Sequence, residues 1–503
     1  MSFETVPQIR IRVAKDLPLR TDGDWVLYWM TAFRRTGSNF ALQHARDLAK
    51  KLNKPLVILE ALRVRYRWAS DRLHRFVIDG MIDNRAATAN TDVLYYPYVE
   101  SKPGEGSGLV GELAQRACAV VSDDYPCFFH PSMIAVVSRK IVCRFELVDS
   151  KCLMPLSIAE RTFTVAHSYR RHMQKVLPIH LDCMPDLRPL DKRSTRGLPK
   201  LLKLPNTIAK RWPAADLEKL TSEGGLTAIP IDHSVLPTTM HGGSKAADKL
   251  LLQFLNRRLA SYNHDRNEPD SDGSSELSPY LHFGHISPHE VFQKLMEKVG
   301  WHPGMLHKPN GKVNGFWGVR EDAEAFLDQL CTWREIGFNM CWREPNFDRF
   351  ESLPVWAQQT MNEHAADPRE HVYSLEQLDA AGTYDSIWNA AQRQLVREGR
   401  IHNYLRMLWG KKIYQWSSTP QAALEAMIEL NNKYALDGRD PNSYSGIFWV
   451  LGRYDRAWGP ERPVFGKLRY MTSANTAKKH ALTEYLKRYA KSEDPRGSVS
   501  PRR

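Results

Sequence analysis

WVLYWM at residues 25–30, SNFALQHARDLAKKL at 38–52 and PLVILEAL at 55–62 decide the fold of the first part of this chain. The first and third are short apolar runs, whereas the second places Leu42, Ala45, Leu48 and Leu52 at helical spacing. Strand, helix, strand is the βαβ unit. CAVVSDD (118–124), the helical PSMIAVVSRKIV (131–142) and CRFELVD (143–149) repeat it. Residues 1–185 are therefore predicted to form an α/β, Rossmann-like domain with a parallel sheet. No Gly-x-Gly-x-x-Gly follows the first strand, so a dinucleotide in the usual pose is not supported there.

Downstream the text changes character. Between 186 and 244 prolines and basic residues accumulate, as in LRPLDKRSTRGLPKLLKLPNTIAKRWP (187–213), and apolar periodicity weakens, which predicts a long connector on the surface. From 245 to 490 the spacing is helical in AADKLLLQFLNRRLASY (246–262), SPHEVFQKLMEKV (287–299), AEAFLDQLCTWREIGFNMCW (323–342) and PQAALEAMIELNNKYA (420–435). An all-helical domain rich in tryptophan is expected there, followed by a polar tail over 491–503.

At 503 residues the chain exceeds the size at which a single core stops growing. Its 70 Lys and Arg against 57 Asp and Glu give a net charge of +13, which favours a polyanionic partner. Cys118, Cys127, Cys143, Cys152, Cys183, Cys331 and Cys341 form no Cys-x-x-Cys pair and no ligand-like cluster with histidine. No metal site is expected, and the scatter of thiols suits a reducing compartment. The opening MSFETVPQIRIRVAKDLPLR lacks an apolar signal core, and no run approaches the roughly 18 apolar residues of a membrane span. A cytoplasmic protein with no membrane partner is the expectation.

Two stretches carry chemistry. YNHDRNEPDSDGSSELSPYLHFGHISP (262–288) is crowded with hydroxyl residues and enters an apolar helix through Ser-Pro. Its backbone N–H groups and the hydroxyls of Ser274, Ser275 and Ser278 either receive an anion or simply cap a helix after a surface loop. RIHNYLRMLWGKKIYQW (400–416) sets Trp409 and Trp416 seven residues apart on one helix face, about 10.5 Å along the axis. Such a pair packs a core, or relays electrons between indoles directly or through a third ring.

LSPYLHFGHISP (277–288) resembles the flavin-phosphate segment of the photolyase and cryptochrome family. WNAAQ (388–392), HNYLRMLWGKKIYQW (402–416), LNNKYALDGRDPNSYSGIFW (430–449) and RPVFGKLRYM (462–471) look like the successive signatures of the class II cyclobutane pyrimidine dimer photolyases. WVLYWM is similar to that class too, so the likeness spans roughly residues 25–475.

The resemblance implies a U-shaped FAD inside the helical domain, and a deazaflavin antenna or none in the α/β domain. Tyr262, Arg266, Ser274, Ser275, Leu277 and Ser278 would line its phosphates and ribitol, with Asp437 and Asp440 near the polar edges of the flavin. Arg406 would pair with Asp437, and Asn431 would face the flavin N5. Trp409, Trp388 and Trp416 would be the proximal, middle and distal members of an electron-transfer chain, with Tyr414 a surface side chain pointing elsewhere. Trp333, Met407 and Trp449 would receive a pyrimidine dimer flipped out of damaged DNA. Light-driven repair by a monomer is the implied activity.

Three positions depart from the class pattern. Gln329 stands where a carboxylate is usual, four residues before the pocket tryptophan, and Asp328 beside it is turned about 100° away on a helix. Gln394 replaces an acid, and Asn403 a glycine. Glutamine donates an N–H to a thymine carbonyl but supplies no proton to a dimer radical anion. These departures keep two rivals in play: a cryptochrome-like blue-light sensor, and a photolyase-derived flavoenzyme acting on a small molecule.

Overall fold

Six strands build one sheet: β1 (Ile11–Lys15), β2 (Trp25–Met30), β3 (Leu56–Leu62), β4 (Leu94–Val99), β5 (Ala117–Asp123) and β6 (Arg144–Val148), ordered β1-β6-β5-β2-β3-β4. This is a computed structural model, and it describes residues 6–271 and 273–491. All neighbouring strands run parallel except β1, which is antiparallel to β6. Every residue of β2 and β5 is buried, as a parallel sheet covered on both faces requires. Helix α1 (Phe40–Leu52) follows β2, with its N-terminus capped by the Asn39 side chain, which accepts from Ala41 N and Leu42 N. Helix α2 (Asp71–Thr88) follows β3.

The sequence left β1 and β4 unread for a physical reason. Both are edge strands, two of the five residues of β1 are charged and β4 carries Pro97, features that edges tolerate and that break an apolar run. The stretch predicted as a surface connector also does more than connect. Leu204, Ile208 and Trp212 pack on one side of the sheet, and Leu217, Leu226 and Ile229 pack with Ile78 and Met81 of α2. Its apolar residues insert singly between prolines, so they show no period.

Beyond Ser244 the named elements are helical: α3 (Ser278–Phe283), α4 (Glu321–Leu327), α5 (Arg334–Arg343), α6 (Ser386–Glu398), α7 (Asn403–Trp416), α8 (Pro420–Tyr434), α9 (Pro441–Val450) and α10 (Thr483–Arg488) among them. Between α4 and α5, Asp328–Trp333 winds as a π-helix. Apart from Lys491, the predicted polar tail lies outside the described residues.

The two halves share one core, and Gly284 shows how closely they meet. It ends α3 at φ +74°, and a Cβ there would lie 2.1 Å from the carbonyl oxygen of Ala32 and 2.7 Å from Phe33 Cα. The buried Arg35 guanidinium crosses the same seam, donating to Gly284 O (3.1 Å) and Ser150 O (3.1 Å). From the other side Glu335 accepts from Leu153 N at 2.6 Å. No described helix is long and apolar enough to cross a membrane.

Candidate functional site

Helix α7 carries both tryptophans of its motif inward. Trp409 and Trp416 are buried, and so is Trp388, which α6 inserts between them. The Trp388 Nε1–H donates to the backbone oxygen of Trp409 at 3.0 Å, and its ring meets Trp416 edge to face at 5.5 Å and 73°. Trp409 donates in turn to Gln392 Oε1 at 2.9 Å. Outward from Trp416 stand Tyr373, at 5.3 Å, and the exposed Tyr384, at 5.7 Å. Asp385 caps α6 through Ile387 N and Trp388 N, and lies 3.5 Å from Lys412, whose ammonium sits 5.3 Å over the Trp416 ring. Tyr414 does point elsewhere, but it is no surface side chain: it is buried, its hydroxyl donating to Val464 O at 2.9 Å.

A second aromatic pair lies where α5 and α9 pack. Trp333 and Trp449 stack on one another, centroids 4.6 Å apart and planes 18° from parallel. Both are half-buried, as is Met407 on α7, and the Trp449 Nε1–H is buried without a partner. Gln329 is half-buried in the π-helix, four residues before Trp333. Asp328 is not an alternative acid, because both its oxygens are gripped by Arg170 at 2.6 and 3.0 Å.

The remaining predicted residues lie in two groups. Tyr262 is buried, packed edge to face on Phe254 and Phe326, with the Arg266 guanidinium 5.8 Å over its ring. Burial pushes the Tyr262 phenol up to about 12. Ser274 and Ser275 are half-buried, Ser275 Oγ accepts from Leu277 N at 3.4 Å, Leu277 is buried, and Ser278 is exposed at the start of α3. The second group surrounds the α8–α9 turn. Arg406 on α7 reaches Asp437 at 3.4 Å. Asn431 is buried, its amide donating to Asn432 Oδ1 and Ser443 Oγ at 3.1 and 2.9 Å.

Asp440 caps α9 by accepting from Asn442 N at 2.9 Å, while its other oxygen takes Tyr125 and His282, each at 3.2 Å. Burial raises this carboxyl, but the His282 hydrogen bond and the charges of Lys151 and Arg334 outweigh it and bring it to about 2. Burial lowers His282 to about 4. Facing a carboxylate, its Nδ1 carries the proton.

Two departures from the class pattern have definite places. Gln394 is buried in a polar knot: its oxygen accepts from Tyr485 (2.8 Å) and His402 N (2.9 Å), and its amide donates to Tyr489 (3.2 Å). It therefore ties α10 to α6. Asn403 is exposed in the first turn of α7.

Sequence reasoning missed the Asp440 hub, although DDY closes β5 and His282 lies inside the quoted LHFGH. It also missed a cavity of about 690 Å3 at the carboxyl ends of β2, β3, β4 and β5, where ligands of open α/β sheets bind. Tyr66, Phe128 and Phe129 wall it, and Tyr98 OH and His130 Nδ1, both lining residues, are buried with no partner.

A solved bacterial class III photolyase from Agrobacterium tumefaciens superposes with TM-score 0.66 at 16% identity, over 93% of this chain and 86% of that one, which defines the fold as that of a photolyase. No family model matches. A deoxyribodipyrimidine photo-lyase of Methanothermobacter thermautotrophicus is 30% identical over 471 residues, 93% of this chain and 94% of that protein. One of Arabidopsis thaliana is 31% identical over 527 residues, covering 98% and 97%. The chain belongs to the photolyase and cryptochrome family.

Proposed function

We propose that this protein repairs cyclobutane pyrimidine dimers in damaged DNA under light, with reduced FAD, when bound, supplying the excited electron donor. The observation that carries this reading is the run of three buried indoles, Trp409, Trp388 and Trp416, ending at tyrosines that approach solvent. Three phenylalanines would fill the same core.

The residues present fit FAD. The Arg266 Nε–H is buried and unpartnered close to Tyr262, and so asks for an anion. Arg406 and Asp437 touch at one pair of atoms, leaving donors and acceptors for the polar edge of a ring. In this reading Tyr262, Arg266, Ser274, Ser275, Leu277 and Ser278 hold phosphates and ribitol. Arg406, Asn431 and Asp437 orient the ring. Asp440, both oxygens engaged, acts by fixing the start of α9 and hence the strand of chain from Asp437 onward.

Trp333 and Trp449 form the floor for a flipped dimer, with Met407 beside them. Their mutual stack leaves no gap at 4.6 Å, so they part on binding and exchange one stacking interaction for another. Gln329 donates an amide N–H to a pyrimidine carbonyl. The cavity of about 690 Å3 is assigned to a planar antenna of the deazaflavin kind, its rings against Tyr66 and Phe129 and its polar edge on Tyr98 and His130.

The test is direct. Reduced protein illuminated with dimer-containing oligothymidine is expected to restore the ultraviolet absorbance of thymine. Flavin-loaded protein that restores none would overturn repair and favour the blue-light sensor.

A further inference from the structure

A cavity of about 270 Å3 lies beside Trp416, walled by Arg369, His371, Tyr384, Gln415, Arg462 and Tyr470. Arg369 is held in place from one side: its Nη1 donates to the carbonyls of Ala365 (3.2 Å) and Asp367 (3.1 Å). Its Nε and Nη2, the edge of a guanidinium that grips a carboxylate through two parallel N–H bonds, are buried with no partner. The Trp416 Nε1–H is also buried, with no well-formed hydrogen bond and only the hydroxyl of the exposed Tyr384 near enough to engage it, although Trp416 as a whole is among the most enclosed side chains of the protein. The two unmatched guanidinium donors, with the indole N–H beside them, outnumber the one unmatched acceptor of the wall, Gln415 Oε1, and are costly unless an acceptor arrives from outside.

The charges around the cavity point the same way. Arg462 is exposed, 4.9 Å over the Tyr470 ring. Lys412 lies 5.3 Å over Trp416 but is neutralised by Asp385 at 3.5 Å. Of the acids, Asp367 is occupied by His364 (2.7 Å) and Val464 N (2.8 Å), and Glu370 sits at the solvent rim, 3.7 Å from His371. The outer wall consists of Tyr384, Arg462 and Tyr470, all exposed and so able to move aside.

We propose that this cavity is the docking site of a small anionic one-electron donor, a reductant of the enediolate type, which refills the indole relay at its outer end. Arg369 takes the anion bidentately and the Trp416 N–H adds a third bond, which brings donor and indole into contact. One electron passes from the anion to oxidised Trp416. The donor leaves as a radical oxidised by one electron, the hydroxyl proton it then sheds goes to water, and no bond between heavy atoms is made or broken. The binding claim stands on the cavity alone, whereas its use for electron entry rests on the electron-transfer reading above.

Ascorbate is a suitable probe. Titrated calorimetrically in the dark, it is expected to bind the wild-type protein, to bind Arg369→Gln about tenfold or more weakly, and to bind Arg462→Gln more weakly by a smaller factor. The second variant decides the matter should the first fail to fold. No binding to wild type, or unchanged affinity in the folded variants, overturns the site, as does displacement of ascorbate by an undamaged duplex, which would assign the cavity to DNA phosphate. Under light, the rate of flavin reduction should saturate with ascorbate and fall in both variants, while reduction supported by neutral dithiothreitol stays the same. Weakened dark binding with unchanged ascorbate-supported photoreduction overturns electron entry. Intact dark binding with no photoreduction by any donor refutes the electron-transfer reading and upholds the anion site.

Discussion

Trp388 is the residue whose placement gives the indole series its continuity. Trp409 and Trp416 share a face of α7 but are separated by nearly two turns, and Trp388 bridges them with a hydrogen bond to one and a ring contact to the other. Replacing Trp409 by Phe keeps the buried volume nearly filled and leaves Gln392 Oε1 without its donor, a loss of about 1–2 kcal/mol in stability. The expected functional result is asymmetric. Photoreduction of the flavin, followed by its bleaching, should fall sharply, while repair by chemically prereduced protein survives; equal photoreduction in the variant would refute the relay. Arg170 holds Asp328 with both oxygens, so no neighbouring acid compensates for the Gln329 amide. Gln329→Glu introduces a group able to hydrogen-bond the dimer when protonated and to stabilise its developing charge, an interaction worth about 1.5–3 kcal/mol. On the repair reading, repair is expected to rise by about tenfold or more, measured as thymine recovered per photon absorbed, and a fall would show that the amide is the better partner here.

At the scale of elements, α3 and α10 are each fixed by one residue. Gly284 ends α3 in the left-handed region with the backbone of Ala32 and Phe33 against its Cα. Gly284→Ala would add about 1–2 kcal/mol of conformational strain and about 1–3 kcal/mol of overpacking, read as a lower urea midpoint; a midpoint within error of wild type would contradict the close contact. Gln394 does the same for α10. Gln394→Glu would turn the donor facing Tyr489 into an acceptor beside Glu398, which already accepts from that tyrosine at 2.7 Å. A loss of about 1–3 kcal/mol, with faster amide exchange in α10, is expected. These elements also show what the sequence could tell. The units β2, α1 and β3 were legible because burial on both faces and a capped amphipathic helix leave distinct periods. Arg406 with Asp437 was legible only through motif resemblance, since 31 residues separate them. The π-helix at 328–333 was not, because a register change of one residue leaves the apolar pattern of α4 and α5 nearly intact. Nor was the Gln394 knot, whose side-chain partners are two tyrosines 91 and 95 residues away.

Across the whole molecule, the seam between the α/β and helical halves is built from groups that ionise. Tyr125 and His282 both hold Asp440, and the buried Lys151 donates to His282 O at 2.6 Å. Burial lowers Lys151 to about 7 and His282 to about 4. His74, His130, His285 and His289 are lowered as well, each chiefly by burial. For a histidine whose pKa is lower folded than unfolded, the unfolded chain binds more protons between the two values, so stability rises with pH across that window. The His282 contribution is complete above its unfolded value of about 6.5 and is lost as pH falls towards about 4. By pH 5 that loss is about 2 kcal/mol from this residue alone. Asp440 acts in the same direction at lower pH: its carboxyl, held at about 2, gives up its contribution only as pH falls from about 4. The five lowered histidines are therefore expected to cost stability from pH 7 to 5, against an opposing contribution from Glu335 across the same seam, whose carboxyl burial raises to about 7 and which gains stability as pH falls through that value. Urea unfolding at the two pH values measures this, and His282→Asn separates the seam from the other histidines. Asparagine retains an N–H for Asp440 but does not titrate, so the variant should be less stable at pH 7 yet lose less between pH 7 and 5. An identical loss in variant and wild type would place the acid sensitivity outside the seam.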